Sequence, residues 1–502
     1  RSRVSEQLGV ANMLLPLTLP PGVYKNGTEY QSKGRWSDAD LVRWHEGAMR
    51  PIGGWRQHTA TTFSDKARGM LAWVDNSGDR KLAIGTASNL YAVGEDITMY
   101  NVTPSGIATG SVNADTATAY GSQLYGKHNY GTTRPDTATY QPATTWSLDT
   151  WGEKLVACST SDGKIYEWSL VFATAAAVVA NAPINNQGLV VTSERFLFAL
   201  GAGGNNRKIQ WSDQEDNTTW TPSATNQAGD IDLITDGAIQ CGARVRGQTL
   251  ILTSTDAHAA TYQGAPYVYG FERVGSSCGI IGPKAVVSVD TFAVWMGKKS
   301  FFYYDGYVKA LESDVADFIF NDLNEDQRSK VYGVLNNQFN EVWWFYPSDG
   351  SIECDSYVTW NWLENHWNVG KLARTAGVDR TVFRSPLFAG TDGYIHEHET
   401  GFTYDSRTPY AESGPLEIGN GESVLNITGM IPDENTLGDV EAKFKTRFHP
   451  TDTEREYGPF TMTNPTSVRF TGRQVKMRVQ SVRNTDWRVG EMRLEGKVGG
   501  RR

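Results

Sequence analysis

Three groups of residues in this 502-residue chain have the types and spacing that chemistry requires. GSSCG, Gly275 to Gly279, matches G-x-S-x-G and offers Ser277 as a nucleophile. A nucleophile elbow needs a strand, a sharp turn and then a helix, whereas Ile280, Ile281, Gly282 and Pro283 lead into the strand-like AVVSV, so the match reads as chance. HEHE, His396 to Glu399, sets His396 and His398 on one face of a strand, a spacing that chelates a metal once further ligands join. No third ligand is identifiable, and the motif reads as a solvated strand face. Carboxylates such as Asp213, Glu215, Asp216 and Asp230 are dense enough for a glycosidase-like acid pair, but nothing in their spacing singles one out. HExxH, the phosphate-binding GxxxxGK[ST] and the EF-hand loop do not occur. The sequence names no catalytic residue, no metal ligand and no cofactor. The four cysteines, Cys158, Cys241, Cys278 and Cys354, lie far apart without a CxxC pair and read as reduced, buried thiols.

The elements that would position these groups announce themselves through their turns. Asp-Gly occurs in SDGKI (161–165), TDGAI (235–239), YDGYV (304–308), SDGSI (348–352) and TDGYI (391–395), each time with an aliphatic residue two places after the Gly. Asp-Gly between short apolar runs is a hairpin signal, because a type I′ turn needs φ > 0 at both central positions. Runs such as WGEKLVACSTSDGKIYEW and NEVWWFYPSDGSIECDSYVTW supply the flanking antiparallel strands, and KLAIGTASNLYAVG and QTLILTSTDAHAATYQG form further hairpins. Units start near residues 67, 148, 191, 243, 286, 332 and 382, at most steps of about 43 to 52 residues. That period predicts an all-β protein with a β-propeller of six or seven blades over residues 55–401. A pair of hairpin-rich β-sandwiches has similar turn spacing and is the alternative.

The first interval is long because of residues 101–145, a Gly-, Thr- and Tyr-rich insertion whose Tyr120, Tyr125 and Tyr130 suit either a contact surface or a plain surface excursion. A helical interruption is expected at Ser313 to Val331, capped by Ser313. Residues 402–502 read as a second, β-sandwich-like domain in which Val475, Met477 and Val479 oppose Lys476, Arg478 and Gln480. Residues 1–54 read as an extended N-terminal docking segment. Gly, at 51 of 502 residues, exceeds the usual share of roughly 7%, as a turn-rich fold demands. The longest apolar run, Leu170 to Ala180, is too short to span a bilayer, and the N-terminus lacks the apolar stretch of a signal peptide.

Charge is unevenly spread. From Arg469 to Arg502 ten basic residues face three acidic ones, a net of +7 within a chain of −9, which leaves −16 for the rest. Such a basic end either contacts nucleic acid or an acidic partner, or is a solvated and partly paired face.

Several segments together carry a resemblance: LPPGVYKNGTEY and GRWSDADLVRWHEGAMRPIGGW near the start, IQWSDQEDNTTWTPSATNQAGDIDL, SSCGIIGPKAVV, VWMGKKSFFYYDG and NEVWWFYPS in the middle, and YGPF, FTGRQVKMRV and GGRR at the end. In these the chain resembles the tail nozzle proteins of short-tailed bacteriophages, also called tail tubular protein B, and related phage stabilisation proteins. The resemblance implies a structural, non-enzymatic virion subunit made in the host cytoplasm and built into the tail. It implies a homo-hexameric ring below the portal and adaptor, with tail fibres as further neighbours and genomic DNA crossing without sequence-specific binding. Its implied assembly contacts are Arg35, Trp36, Arg43 and Trp44 in the N-terminal segment, and Arg473, Arg478, Arg488, Arg493, Arg501 and Arg502 in the basic end. The competing classes are a glycan-degrading propeller, which needs two carboxylates about 5–9.5 Å apart in a cleft, and a receptor-binding tail protein.

Overall fold

The computed structural model describes residues 13–115, 140–417, 423–450 and 452–499. Within them, apolar runs between turns pair with their sequence neighbours into seven four-stranded antiparallel sheets. These blades cover residues 67–101, 146–178, 188–232, 239–276, 286–311, 332–371 and 374–398. In each, the first strand lies innermost, and Arg374–Val378 of the last blade packs against Ala67–Val74 of the first, so the ring closes. The expected range of six or seven blades resolves to seven. Six of the expected unit starts fall inside the innermost strands; residue 382 falls after Arg374–Val378 instead.

Closure uses a strand from the other end of the propeller sequence. Trp55–Gln57 pairs with Ile395–His398 as the outermost strand of the seventh blade. The second strands of the blades are buried almost throughout, as in Phe292–Met296 and Glu341–Tyr346, because a blade is covered on both faces by its neighbours. They therefore read as continuous apolar runs rather than as alternation.

Four of the Asp-Gly sites lie between consecutive strands of one blade. Only their glycines take left-handed backbone, at φ +62, +122, +78 and +86 for Gly163, Gly306, Gly350 and Gly393, so the expected type I′ geometry is not the one adopted. Asp162 and Asp392 instead accept the backbone N–H two residues on, at 3.2 and 3.1 Å. The fifth site, TDGAI, connects the third blade to the fourth rather than turning a hairpin. Gly237 serves close approach there, since an added Cβ would stand 2.4 Å from Thr255 Oγ1. The helical interruption is shorter than expected, an α-helix at Ala316–Asp322 followed by a 3-10 turn at Glu325–Lys330.

The C-terminal domain is a β-sandwich. One sheet orders Met13–Leu17, Met492–Val498, Leu425–Ile431 and Phe470–Gly472; the other orders Trp36–Asp40, Tyr410–Ser413, Gln474–Ser481, Val440–Arg447 and Arg455–Thr461. Val475, Met477 and Val479 point into its core, while Lys476, Arg478 and Gln480 are half-exposed. The expected extended segment at 1–54 is folded into the molecule: Met13–Leu17 joins one sandwich sheet and Trp36–Asp40 the other, each supplying backbone partners to an otherwise open sheet edge, while Val42–His45 and Ala48–Pro51 pair with each other. The insertion's described ends, Asp115 and Gln141, pair with each other; Tyr120, Tyr125 and Tyr130 lie outside the described residues.

All four cysteines are free and buried. Burial pushes the thiols of Cys241 and Cys354 up to about 12 and that of Cys278 up to about 11. The thiolate is the reactive form, so all four should escape Ellman's reagent in native protein at pH 8 and react fully in guanidinium. Rapid reaction of even one in native protein would contradict this packing.

Candidate functional site

Two built arrangements dominate the interior: a charged clasp between the domains and a cavity on the propeller axis. The clasp begins with local chain geometry. Val42–His45 and Ala48–Pro51 form a hairpin through Glu46 and Gly47, at φ +53 and +77. Just before it, Leu41 is fully buried at φ +57, an uncommon conformation for a bulky side chain, and its N–H donates to Tyr357 Oη at 3.2 Å. That kink turns the chain from the sandwich strand Trp36–Asp40 into the hairpin.

The kink and hairpin deliver Arg43, 2% exposed, between two propeller carboxylates. Its Nε and Nη2 donate to Glu341 at 3.1 Å each, and its Nη1 and Nη2 donate to Glu399 at 2.9 and 2.5 Å. The guanidinium also lies 3.7 Å from the centre of the Phe339 ring. Glu341 takes a further bond from Trp343 Nε1 at 2.9 Å; Glu399 takes others from Gly53 N at 2.9 Å and Asn336 Nδ2 at 3.1 Å. Burial works against the charge on Glu399, yet Arg43 and these donors hold its carboxyl below the ordinary range. For Glu341 burial wins, and its carboxyl is raised. The two carboxylates push Arg43 upward against the effect of burial. The same hairpin holds the sandwich: Met49 and Val489 exchange backbone bonds of 2.9 Å, and Arg50 meets Asp486 at 2.8 Å.

The axial cavity, about 410 Å³, is lined by the innermost strands of all seven blades. Near one rim, Arg68 and Lys330 share Glu353 Oε1 at 2.7 and 3.0 Å. Burial, with Arg68 adding to it, brings the Lys330 amine down to about 8. This rim also anchors the insertion's arms, through Lys330 Nζ to Asn113 Oδ1 at 2.7 Å and Arg68 Nη2 to Val112 O at 3.0 Å. On another part of the wall, Arg244 pairs with Asp149 at 3.1 Å.

The residues expected to be assembly contacts separate into three groups. Trp36 and Trp44 are buried with ring centres 5.8 Å apart, and Arg43 is the clasp, so all three face this chain's own interior. Arg35 pairs with Asp314 at 2.6 Å; Arg478 lies 3.5 Å over the Tyr410 ring and 3.5 Å from Glu412. Arg35 and Arg478 keep 31% and 28% of their side-chain surface exposed, whereas Trp36, Arg43 and Trp44 are buried. Arg488 and Arg493 are exposed, Arg473 is half-buried, and Arg501 and Arg502 lie outside the described residues.

The chemical motifs do not converge. His398 is buried and accepts from Arg374 Nε at 2.9 Å, while His396 meets Asp392 at 3.0 Å, so HEHE is not a solvated face. Ser277 has φ +55 and is followed by buried Cys278 and extended chain rather than by a helix. Asp213 accepts the backbone of Gln214 and Gln227, Asp216 holds Thr218 and Thr219, Glu215 pairs with Arg195, and Asp230 pairs with Lys208. Glu341, Glu399, Lys330 and Arg68 were not singled out from sequence. The available signal was a cation at the start of an innermost strand, in KARGM, GPKAVV and SKVYG.

No protein-family model matches the chain, and no curated protein matches it by sequence. Solved structures similar to it include virginiamycin B lyase from Staphylococcus aureus, at 8% identity over 68% of this chain and 98% of that one, TM-score 0.42. A streptogramin B lyase is similar at 9% identity over 69% and 97%, TM-score 0.40. The WD40 domain of Neurospora crassa Pan2 is similar at 8% over 68% and 95%, TM-score 0.39. No residue role passes to this chain at such identity.

Replacing Arg43 by Met strands two buried carboxylates and should cost about 3–5 kcal/mol of unfolding free energy. Adding Glu399→Gln to that variant should restore part of it. Denaturant titration reads both, and an Arg43→Met midpoint equal to that of the parent would remove the clasp from the account.

Proposed function

We propose that the chain is a structural subunit of a virion tail, of the tail nozzle class, assembling as a ring around a passage for phage DNA. The observation that carries this reading is where the resemblance falls. GRWSDADLVRWHEGAMRPIGGW, residues 34–55, is the segment that crosses from sandwich to propeller, closes the seventh blade and supplies Arg43. A subunit that bears force along a tail needs its domains joined as one piece, and this segment joins them.

The passage in this reading lies between subunits. A propeller cavity of about 410 Å³ is far too small for a duplex whose major groove alone is about 12 Å wide. The net charge of −16 outside the basic end suits such a passage, because few phosphate contacts mean few counterions released and little adhesion. The reading assigns the chain no catalytic role: each carboxylate considered for glycan cleavage is bound to local partners.

Native mass spectrometry of the recombinant chain should find a sixfold assembly. Arg488→Glu with Arg493→Glu should raise its dissociation constant by about 10-fold or more while leaving unfolding free energy within about 0.5 kcal/mol. Glycan cleavage by a persistent monomer would overturn the nozzle reading in favour of the enzyme. An unchanged ring in the double variant would remove these arginines from the interface.

A further inference from the structure

The axial cavity holds more positive charge than its own carboxylates answer. Arg68 and Lys330 share one carboxylate, that of Glu353, and Arg244 takes that of Asp149. Asp149 is largely engaged, since it also accepts Thr150 N at 2.8 Å and Val191 N at 2.9 Å. Lys284 is in the same wall; its carbonyl accepts from Gly333 N at 2.8 Å, but its amine has no hydrogen bond or ion pair with any described residue. The ionisable groups that act on its amine are Cys241 of the fourth blade and Asp149 and Cys158 of the second. With both pairs counted, the cavity carries an excess of two positive charges.

Donors around it are also unused. Arg68 Nε and Tyr332 Oη are buried without a partner among the described residues, and both residues line the cavity. Lys330 and Arg68 are 3% and 4% exposed, so these are built interior charges rather than surface cations. Burial lowers the Lys284 amine, and the opposing pull of Asp149, already paired with Arg244, does not offset it.

We infer that the axial cavity is a binding site for a small oxyanion of the phosphate class, with Lys284 as its principal ligand and the Arg68–Lys330 rim as its second support. A dianion answers the excess of two charges, and a cavity of about 410 Å³ takes it with water or with a small attached group. Charge-assisted bonds from a lysine and an arginine are the usual means of holding a tetrahedral oxyanion. Bound there, the ion touches several blades at once and stabilises the closed ring by mass action. This inference stands apart from the nozzle reading, because it depends only on the propeller interior.

Inorganic phosphate is the test ligand, added to the full chain against chloride at matched ionic strength. Calorimetric titration should show one saturable site per chain, and the melting temperature should climb with the logarithm of phosphate concentration. Lys284→Gln should weaken binding by about 10- to 100-fold, the factor set by one charge-assisted hydrogen bond. That variant should be as stable as the parent, or more so, without phosphate, because it removes an uncompensated buried charge. Lys298→Gln, on the surface cleft between the fourth and fifth blades, should bind as the parent does. Failure to saturate at millimolar phosphate overturns the inference. Equal affinity in Lys284→Gln also overturns it, by placing the ion on surface lysines.

Discussion

One guanidinium enclosed by two carboxylates, at the point where hairpin, sixth blade and seventh blade meet, fixes how the rest of the molecule sits. Charges taken out of water lose their solvation, and their mutual attraction repays that only with good geometry and with every remaining lone pair answered. Here Gly53, Trp343 and Asn336 answer them. Such an arrangement adds little stability over an apolar packing of equal volume, but it tolerates almost no displacement. The Arg43 hairpin is therefore held in one place, and everything attached to it inherits that placement: sandwich strands before it, the ring-closing strand after it, and Val489 of the sandwich beside it. The left-handed Leu41 is the local strain this route requires.

The same economy governs the charges outside the clasp. Several cations of the C-terminal domain are neutralised by carboxylates of the domain and of the N-terminal segment. Lys476 lies between Glu29 and Glu454, Lys445 and Arg478 share Glu412, and Arg447 meets Glu29 and Glu454. Glu29 belongs to the N-terminal segment, so this pairing is a second connection between the ends of the chain. Among the described residues of the basic end, Arg469, Arg483, Arg488, Arg493 and Lys497 remain exposed.

The propeller could be read from sequence because each blade is local: strand, turn and strand follow one another, and the turn glycines repeat with the blade. The sandwich was legible for the same reason where its strands alternate, as in Gln474–Ser481. The role of the N-terminal strands was not legible. WSDAD and MLLPL are five residues each and find their partners 370 or more residues away, which no local pattern records. Arg43, Trp36 and Trp44 were expected as assembly contacts through the resemblance alone, while the carboxylates that bury Arg43, those of Glu341 and Glu399, lie about 300 residues or more away in sequence. Lys284 escaped attention because its isolation exists only across the closed ring.

If the clasp makes propeller and sandwich one body, their strands must lose protection together. Hydrogen exchange along a denaturant series reads this directly, by comparing amides of Glu341–Tyr346 in the sixth blade with those of Gln474–Ser481 in the sandwich. The account predicts that both sets open with the same free energy and the same denaturant dependence. A sandwich that opens while all seven blades stay protected would contradict it.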